Sequence, residues 1–171
     1  MMPPSAIQKK ICMLGDFAVG KTSLVRRFVE DRFDDRYLST IGVKISRRTV
    51  TISQKPVHLL LWDLSGSEEF IGVTTSYLQG ASGALLVCDL TRSNTLGLLD
   101  AYARRLRDVN AHVSIVLAGN KADLNERREV DDEMLADLAH DLQAKWFITS
   151  AKTGDSVEEA FLSLARLILE R

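Results

Sequence analysis

The 171-residue sequence predicts an α/β fold, a six-stranded, mostly parallel sheet with one antiparallel edge strand and helices on both faces. Three observations predict it. Apolar runs alternate along the chain with stretches of helical periodicity, the order that builds a parallel sheet. Four of the runs are almost continuously hydrophobic, as strands covered on both faces must be. A fifth run alternates polar with apolar residues and is joined to its successor only by "SQKP", a turn-like break that reads as an antiparallel edge hairpin.

The strands are expected at Lys9 to Gly15, Ile41 to Ile52, Val57 to Leu64, Gly83 to Leu90, Val113 to Asn120 and Lys145 to Ser150. Helices fit between them, at Lys21 to Asp31, a short one after Gly66, Asn94 to Asp108, Asp131 to Leu142, and Ser156 to Glu170. For the last, Ser156 and Glu159 read as a capping box, and Val157, Ala160, Phe161, Leu164 and Ile168 line one apolar stripe. Residues 1–8 are expected to be a flexible segment and 9–171 one domain, without a linker, repeat or low-complexity stretch. On such sheets, ligands sit at the carboxyl ends of the strands.

Composition narrows the function classes. The chain is 46% hydrophobic and 26% charged with a net charge of −1, an ordinary globular balance that offers no basic field for nucleic acid or an anionic membrane. Its arginine pairs are spread along the chain and read as solvated faces. The two cysteines, Cys12 and Cys88, lie within separate apolar runs and are expected as core thiols in a reducing compartment. The opening "MMPPSAIQKK" has no apolar signal region and no glycine at position 2, no run is long enough to span a membrane, and "LARLILER" carries no cysteine for a prenyl group. A cytoplasmic monomer without its own membrane anchor is expected. His58, His112 and His140 have no metal-ligand spacing.

The chemistry gathers at the strand ends. "GDFAVGKTS", spanning Gly15, Asp16, Phe17, Ala18, Val19, Gly20, Lys21, Thr22 and Ser23, matches G-x-x-x-x-G-K-[ST] between a strand and a helix. The glycines let the backbone fold tightly, so that N–H groups and the helix N-terminus face a phosphate chain; Lys21 would reach its outer phosphates and Thr22 would ligate Mg²⁺. "GNKAD" after the fifth strand places Asn120, Lys121 and Asp123 to choose the base. A carboxylate that accepts from both a ring N–H and an exocyclic amine recognises guanine and leaves adenine without the matching donors, so GTP is favoured over ATP. "TSAK" ends the sixth strand, with Ser150, Ala151 and Lys152 available to the same base. At the end of the third strand, "LWDLSGSEEF" puts Asp63 ahead of Gly66 and Ser67.

Over nearly its whole length the sequence resembles a Ras-superfamily small GTPase, and the Rab branch most, through "GDFAVGKTSLVRRF", "YLSTIGV", "LWDLSGSEEF", "YLQGA", "LLVCDLT", "GNKADL" and "TSAKTG" in that order. The absence of an extra helix between "NKAD" and "TSAK" argues against the Rho branch. The resemblance implies a P-loop GTPase fold and a GTP/GDP switch with Mg²⁺. Residue by residue, it implies that Phe33 stacks on the guanine, Tyr37 closes over the phosphates and Lys121 lies along the base plane. It also implies that Thr40 binds Mg²⁺ and senses the γ-phosphate, that Asp63 holds Mg²⁺, and that the Gly66 N–H meets the γ-phosphate. Catalysis would then rest on Lys21, Thr40, Gly66 and Ser67. Implied partners are an effector docking on the switch regions and on Ile45, Trp62 and Tyr77, an exchange factor and a GTPase-activating protein.

Two residues depart from the family's pattern. Ser67 stands where most relatives carry a glutamine that orients the attacking water, and Phe17 stands at the P-loop position nearest the γ-phosphate, where relatives carry a small residue. Both weaken positioning while sparing nucleotide binding. The expectation is a slow GTPase, with a hydrolysis-deficient, nucleotide-stabilised scaffold as the alternative; an ATP-using P-loop kinase is disfavoured by "NKAD" and by the lack of a lid.

Overall fold

The computed structural model describes residues 5–34, 42–64 and 74–171. Its elements run β1 (Ile7–Leu14), α1 (Lys21–Glu30), β2 (Val43–Ile52), β3 (Lys55–Leu64), α2 (Thr74–Leu78), β4 (Ala81–Asp89), α3 (Ser93–Gly97), α4 (Leu99–Val109), β5 (Ser114–Asn120), α5 (Asp132–Leu142), β6 (Lys145–Ile148) and α6 (Val157–Leu169). They form a six-stranded sheet in the order β2-β3-β1-β4-β5-β6. Only β2 runs antiparallel to its neighbour, pairing with β3 from Val43↔Leu64 to Ile52↔Lys55. Ser53 and Gln54 close that hairpin at φ 50° and 65°, the two left-handed residues whose twist matches the flanking strands. β1 and β3, β1 and β4, β4 and β5, and β5 and β6 pair in parallel.

The continuous apolar runs are explained by the two cores they feed. Successive side chains of a strand point to opposite faces. Cys12 and Leu14 of β1 therefore join Leu86 and Cys88 of β4 beneath α4 and α5, packed by Leu99, Ala103, Leu106, Leu135 and Ala139. Ile11 and Met13 join Leu85 and Val87 on the other face, under Leu24 and Phe28 of α1 and the Val157, Ala160, Phe161, Leu164 and Ile168 stripe of α6. Phe28 and Phe161 stack with ring centroids 4.2 Å apart and planes 13° from parallel, which fixes α1 against α6.

Local chemistry shifted several expected boundaries and moved one expected cap. β1 begins at Ile7, inside the segment read as flexible, because Ile7 and Gln8 pair with Val57 and His58 of β3. The helix expected over Asn94 to Asp108 is two helices meeting at Leu98: Gly97 is a poor helix former, and no atom lies within 4 Å to reward a side chain there. β6 stops at Ile148; the Thr149 N–H makes the last bond to β5, to the Gly119 carbonyl at 2.8 Å. The capping box is not formed. Ser156 is left-handed at φ 56°, whereas a side-chain cap needs extended backbone, and its hydroxyl makes no capping bond. The cap is made on α5, where extended Asp131 accepts from the Met134 N–H at 2.8 Å. Among the described residues, no helix is long and apolar enough to cross a membrane.

Candidate functional site

The loops after β1, β3, β4, β5 and β6 all leave the sheet at one end. The first wraps tightly against β4: a Cβ on Gly15 would lie 2.3 Å from the Val87 carbonyl oxygen, so only glycine fits. Gly20, at φ 103°, precedes α1, and a Cβ there would meet Asn120 Nδ2 at 2.3 Å. The first turn of α1 holds no acidic residue, leaving its positive end uncompensated. Lys21 folds back so that Nζ donates to the carbonyls of Gly15 (2.8 Å) and Asp16 (3.1 Å). It is 7% exposed, and burial pushes its amine down to about 8 against the opposing pull of the Asp63 and Asp16 carboxylates. A buried ammonium ringed by carbonyls suits an anion.

Thr22 and Asp63 meet beside it. The Thr22 hydroxyl donates to Asp63 Oδ2 at 2.6 Å, and Asp63 is 2% exposed at the end of β3. Both are hard oxygen donors, the set that suits Mg²⁺. Among the described residues no group of three or more His, Cys, Asp and Glu side chains is placed to hold a metal.

The base-side loops close against the same turn. Asn120, 2% exposed, donates to the Val19 carbonyl at 3.0 Å and accepts at Oδ1 from Thr149 Oγ1 (3.1 Å) and the Ala151 N–H (3.3 Å). Lys121, left-handed at φ 72°, donates to the Ala18 carbonyl at 2.9 Å. Ser150, fully buried, donates to Asp123 Oδ1 at 2.7 Å and so orients that carboxylate. Arg27 of α1 bonds the carbonyls of Ala151 (2.8 Å) and Lys152 (2.6 Å), tying "TSAK" to the first helix. Ser23 is half-buried on α1, and Phe33 is half-buried against the α1–α6 core. Gly15 through Ser23, Asp63, Asn120, Lys121, Asp123 and Ser150 to Lys152 are thus brought to one end of the sheet. Tyr37, Thr40, Gly66 and Ser67 lie outside the described residues.

Of the three residues marked for an effector, Ile45 is 52% exposed, Trp62 is half-buried and Tyr77 is only 4% exposed. Tyr77 packs edge-on to Trp62, with centroids 5.9 Å apart, and its hydroxyl donates to the Trp62 carbonyl. Lys10 Nζ lies 3.7 Å from the Trp62 ring centroid. Tyr77 therefore backs this surface from below instead of presenting it.

Sequence reasoning passed over Asp89 and Arg92. Asp89, 1% exposed at the end of β4, accepts at Oδ1 from the Thr91 N–H (2.8 Å) and hydroxyl (2.6 Å), and at Oδ2 from Lys121 (2.9 Å) and Arg92 Nε (3.1 Å). Burial alone would raise its pKa, but the bonds from Thr91 and Lys121 outweigh it and hold the carboxyl below its ordinary value. The available signal was an apolar strand ending in aspartate, the pattern that had marked Asp63.

A parallel sheet whose first loop rings a buried lysine at a helix N-terminus, faced by an Asn-Lys-x-Asp loop, defines a P-loop nucleotide-binding protein. The Ras family model matches residues 10–170. Ras-related protein Rab-13 of Canis lupus familiaris is 40% identical over 161 residues, covering 94% of this chain and 79% of its own. Rab-13 of Rattus norvegicus is 41% identical over the same shares, and Rab-8B of Homo sapiens is 39% identical over 163 residues, covering 95% and 79%. The chain belongs to the Ras family, in its Rab branch. It is a small GTP-binding switch protein that takes GTP or GDP with Mg²⁺.

Proposed function

We propose that residues 9–171 form one G domain that binds Mg²⁺ and GTP tightly and hydrolyses the nucleotide very slowly unaided, so that its GTP-bound state is long-lived. The observation that carries the binding half is that Lys21 and Asn120 bond carbonyls of one turn at 2.8–3.1 Å while, at the same end of the sheet, Ser150 orients Asp123 at 2.7 Å. In this reading the Gly15–Ser23 loop cradles the phosphates, with Lys21 on the outer ones. Asp123 reads the guanine edge, supported by Asn120, Ser150, Ala151 and Lys152, while Lys121 and Phe33 flank the ring. Tyr37 covers the phosphates. Thr22, Thr40 and Asp63 hold Mg²⁺, which when bound neutralises charge on the phosphate oxygens. Thr40 and Gly66 sense the γ-phosphate, and their release on hydrolysis resets the switch.

The catalytic half rests on what replaces the usual positioning groups. Serine's side chain is too short at Ser67 to hold a water as glutamine's amide does, and Phe17 offers a ring, 49% exposed, beside the cradle. An ordinary relative is already slow alone, on the order of 10⁻⁴ s⁻¹. Losing about 1.4–2.8 kcal/mol of transition-state stabilisation slows it a further ten- to hundredfold. The Rab likeness supports an effector that reads the switch regions with Ile45 and Trp62 as the contacting side chains and Tyr77 behind them. It also supports an exchange factor and an activating protein able to supply the missing catalytic group. A cytosolic location, with any membrane contact made through partners or a tail, accompanies this reading.

Single-turnover hydrolysis of loaded GTP tests it. The unmodified protein should turn over roughly ten- to hundredfold below glutamine-bearing relatives, and Ser67→Gln should recover much of the difference. Rates equal to those relatives, with no gain from the glutamine, would overturn the slow switch. No measurable turnover in either form would favour the scaffold reading, and calorimetry showing no binding of GDP or GTP would remove both.

A further inference from the structure

The carbonyls of the phosphate loop are held by a series of donors, and one of them has no assigned role. Five consecutive carbonyls are gripped: Gly15 and Asp16 by Lys21 (2.8 and 3.1 Å), Phe17 by Arg92 (2.7 Å), Ala18 by Lys121 (2.9 Å) and Val19 by Asn120 (3.0 Å). The described peptide bonds are all trans. In a trans peptide the C=O of one residue and the N–H of the next point in opposite directions. Every carbonyl drawn outward therefore turns the following N–H away from its donor. Holding Phe17, Ala18 and Val19 by their oxygens directs the N–H groups of Ala18, Val19 and Gly20 to the other side, as a concave run of donors for an anion.

This arrangement is not free. Ala18 sits at φ 61°, a left-handed conformation that a residue with a Cβ rarely adopts, so the turn has to be over-determined from outside. The two peptide units flanking Ala18 are held by Arg92 and by Lys121. Both cations converge on Asp89, whose Oδ2 accepts from Arg92 Nε at 3.1 Å and from Lys121 Nζ at 2.9 Å. Asp89 is in turn fixed at Oδ1 by Thr91. Arginine suits this post because its planar fork serves the carboxylate with Nε and the Phe17 carbonyl with a separate terminal nitrogen, whereas a lysine at this position would have to reach both acceptors from a single nitrogen.

We infer that Arg92, aimed by Asp89, is a positioning residue of the nucleotide site. It touches no nucleotide in this role; it fixes the Phe17–Ala18 peptide so that the Ala18 N–H is pre-aimed at the outer phosphate. The inference rests on the GTP-binding reading above and deepens it. It assigns Arg92 to phosphate affinity and leaves choice of base to Asp123.

The test compares GDP with GMP, which shares the base and sugar but lacks the outer phosphate. Affinities for both are measured by competition on the full chain, unmodified and as Arg92→Ala. The expected result is a roughly tenfold loss for GDP, the size set by one charge-assisted bond, with GMP changed by less than about twofold. The ³¹P resonance of the β-phosphate of bound GDP should move as well, whereas a merely structural role would leave it in place. Arg92→Lys should recover only part of the GDP loss, because it keeps the charge and loses the fork. Should Arg92→Ala not fold, Arg92→Gln carries the same comparison. Equal losses for GDP and GMP, an unmoved β-phosphate signal, or full recovery by lysine would overturn the inference. Failure of the unmodified protein to bind GDP would instead remove the GTP-binding reading itself.

Discussion

At Lys21 a protonated amine is enclosed by the carbonyls of Gly15 and Asp16, and the same burial that readies it for phosphate burdens the empty protein. Its pKa falls from 10.5 to about 8, so between those values the unfolded chain keeps a proton that the folded chain has released, and stability rises with pH. Opposing it, burial raises the Cys12 and Cys88 thiols from 9.0 to about 12. From pH 9 upward the folded state keeps protons that the unfolded state gives up, and stability falls. The nucleotide-free protein is therefore expected to be most stable near pH 9: Lys21 adds roughly 1 kcal/mol between pH 8 and 9 and the two thiols offset most of it, leaving a net gain of a few tenths of a kcal/mol in urea titrations. Lys21→Met should abolish that gain together with nucleotide binding; a gain that survives would refute the assignment. Asp123 carries the second residue-scale expectation. Asp123→Asn removes a charge-assisted acceptor, which should weaken GTP by roughly ten- to hundredfold and improve xanthosine nucleotides, read by competition binding. Unchanged GTP affinity would refute the base assignment. These residues were legible as candidates because phosphate loops and base-reading loops are contiguous in sequence. Arg92 was not, since its contact with Phe17 joins segments 75 residues apart.

Among the elements, two glycines show how the same substitution acts differently by location. Gly83 lies on β4 under α6, where an added methyl would approach Ile168 Cδ1 at 2.7 Å and Leu164 Cδ1 at 3.0 Å. Those are the ends of flexible side chains, so Gly83→Ala should cost about 1–2 kcal/mol in denaturant unfolding and leave GDP affinity intact. Gly15 faces the Val87 carbonyl oxygen at 2.3 Å, and backbone cannot rotate away. Gly15→Ala should displace the phosphate loop from β4 and reduce GDP affinity by at least tenfold; the reverse pattern between the two variants would contradict this packing account. Strand positions and helix faces were legible from periodicity, because burial on both sides of a sheet writes long apolar runs; the order of the strands was not. Nor were helix ends. The break at Leu98 depends on Gly97 finding no partner, and the uncapped Ser156 depends on a left-handed turn set by its neighbours. Both are products of tertiary context.

For the molecule as a whole, strand polarity explains the division of labour. Five strands run one way and deliver their loops to one end, while β2 turns back along the edge and carries Ile45 on its surface. Ligand at that end stabilises the whole chain by mass action, since it binds only where all these loops are in register. The buried sulfurs allow this to be measured chemically. Cys12 and Cys88 are the chain's only cysteines, both 0% exposed. An aromatic disulfide reagent such as DTNB should therefore find nothing to label in the folded protein and release two equivalents of coloured thiolate in urea. Under native conditions the labelling rate becomes a clock for global opening, and GDP should slow it by a factor of one plus the ratio of its free concentration to its Kd. Rapid labelling of either sulfur in the intact protein would show that the sheet breathes locally at β1 or β4, ahead of the rest.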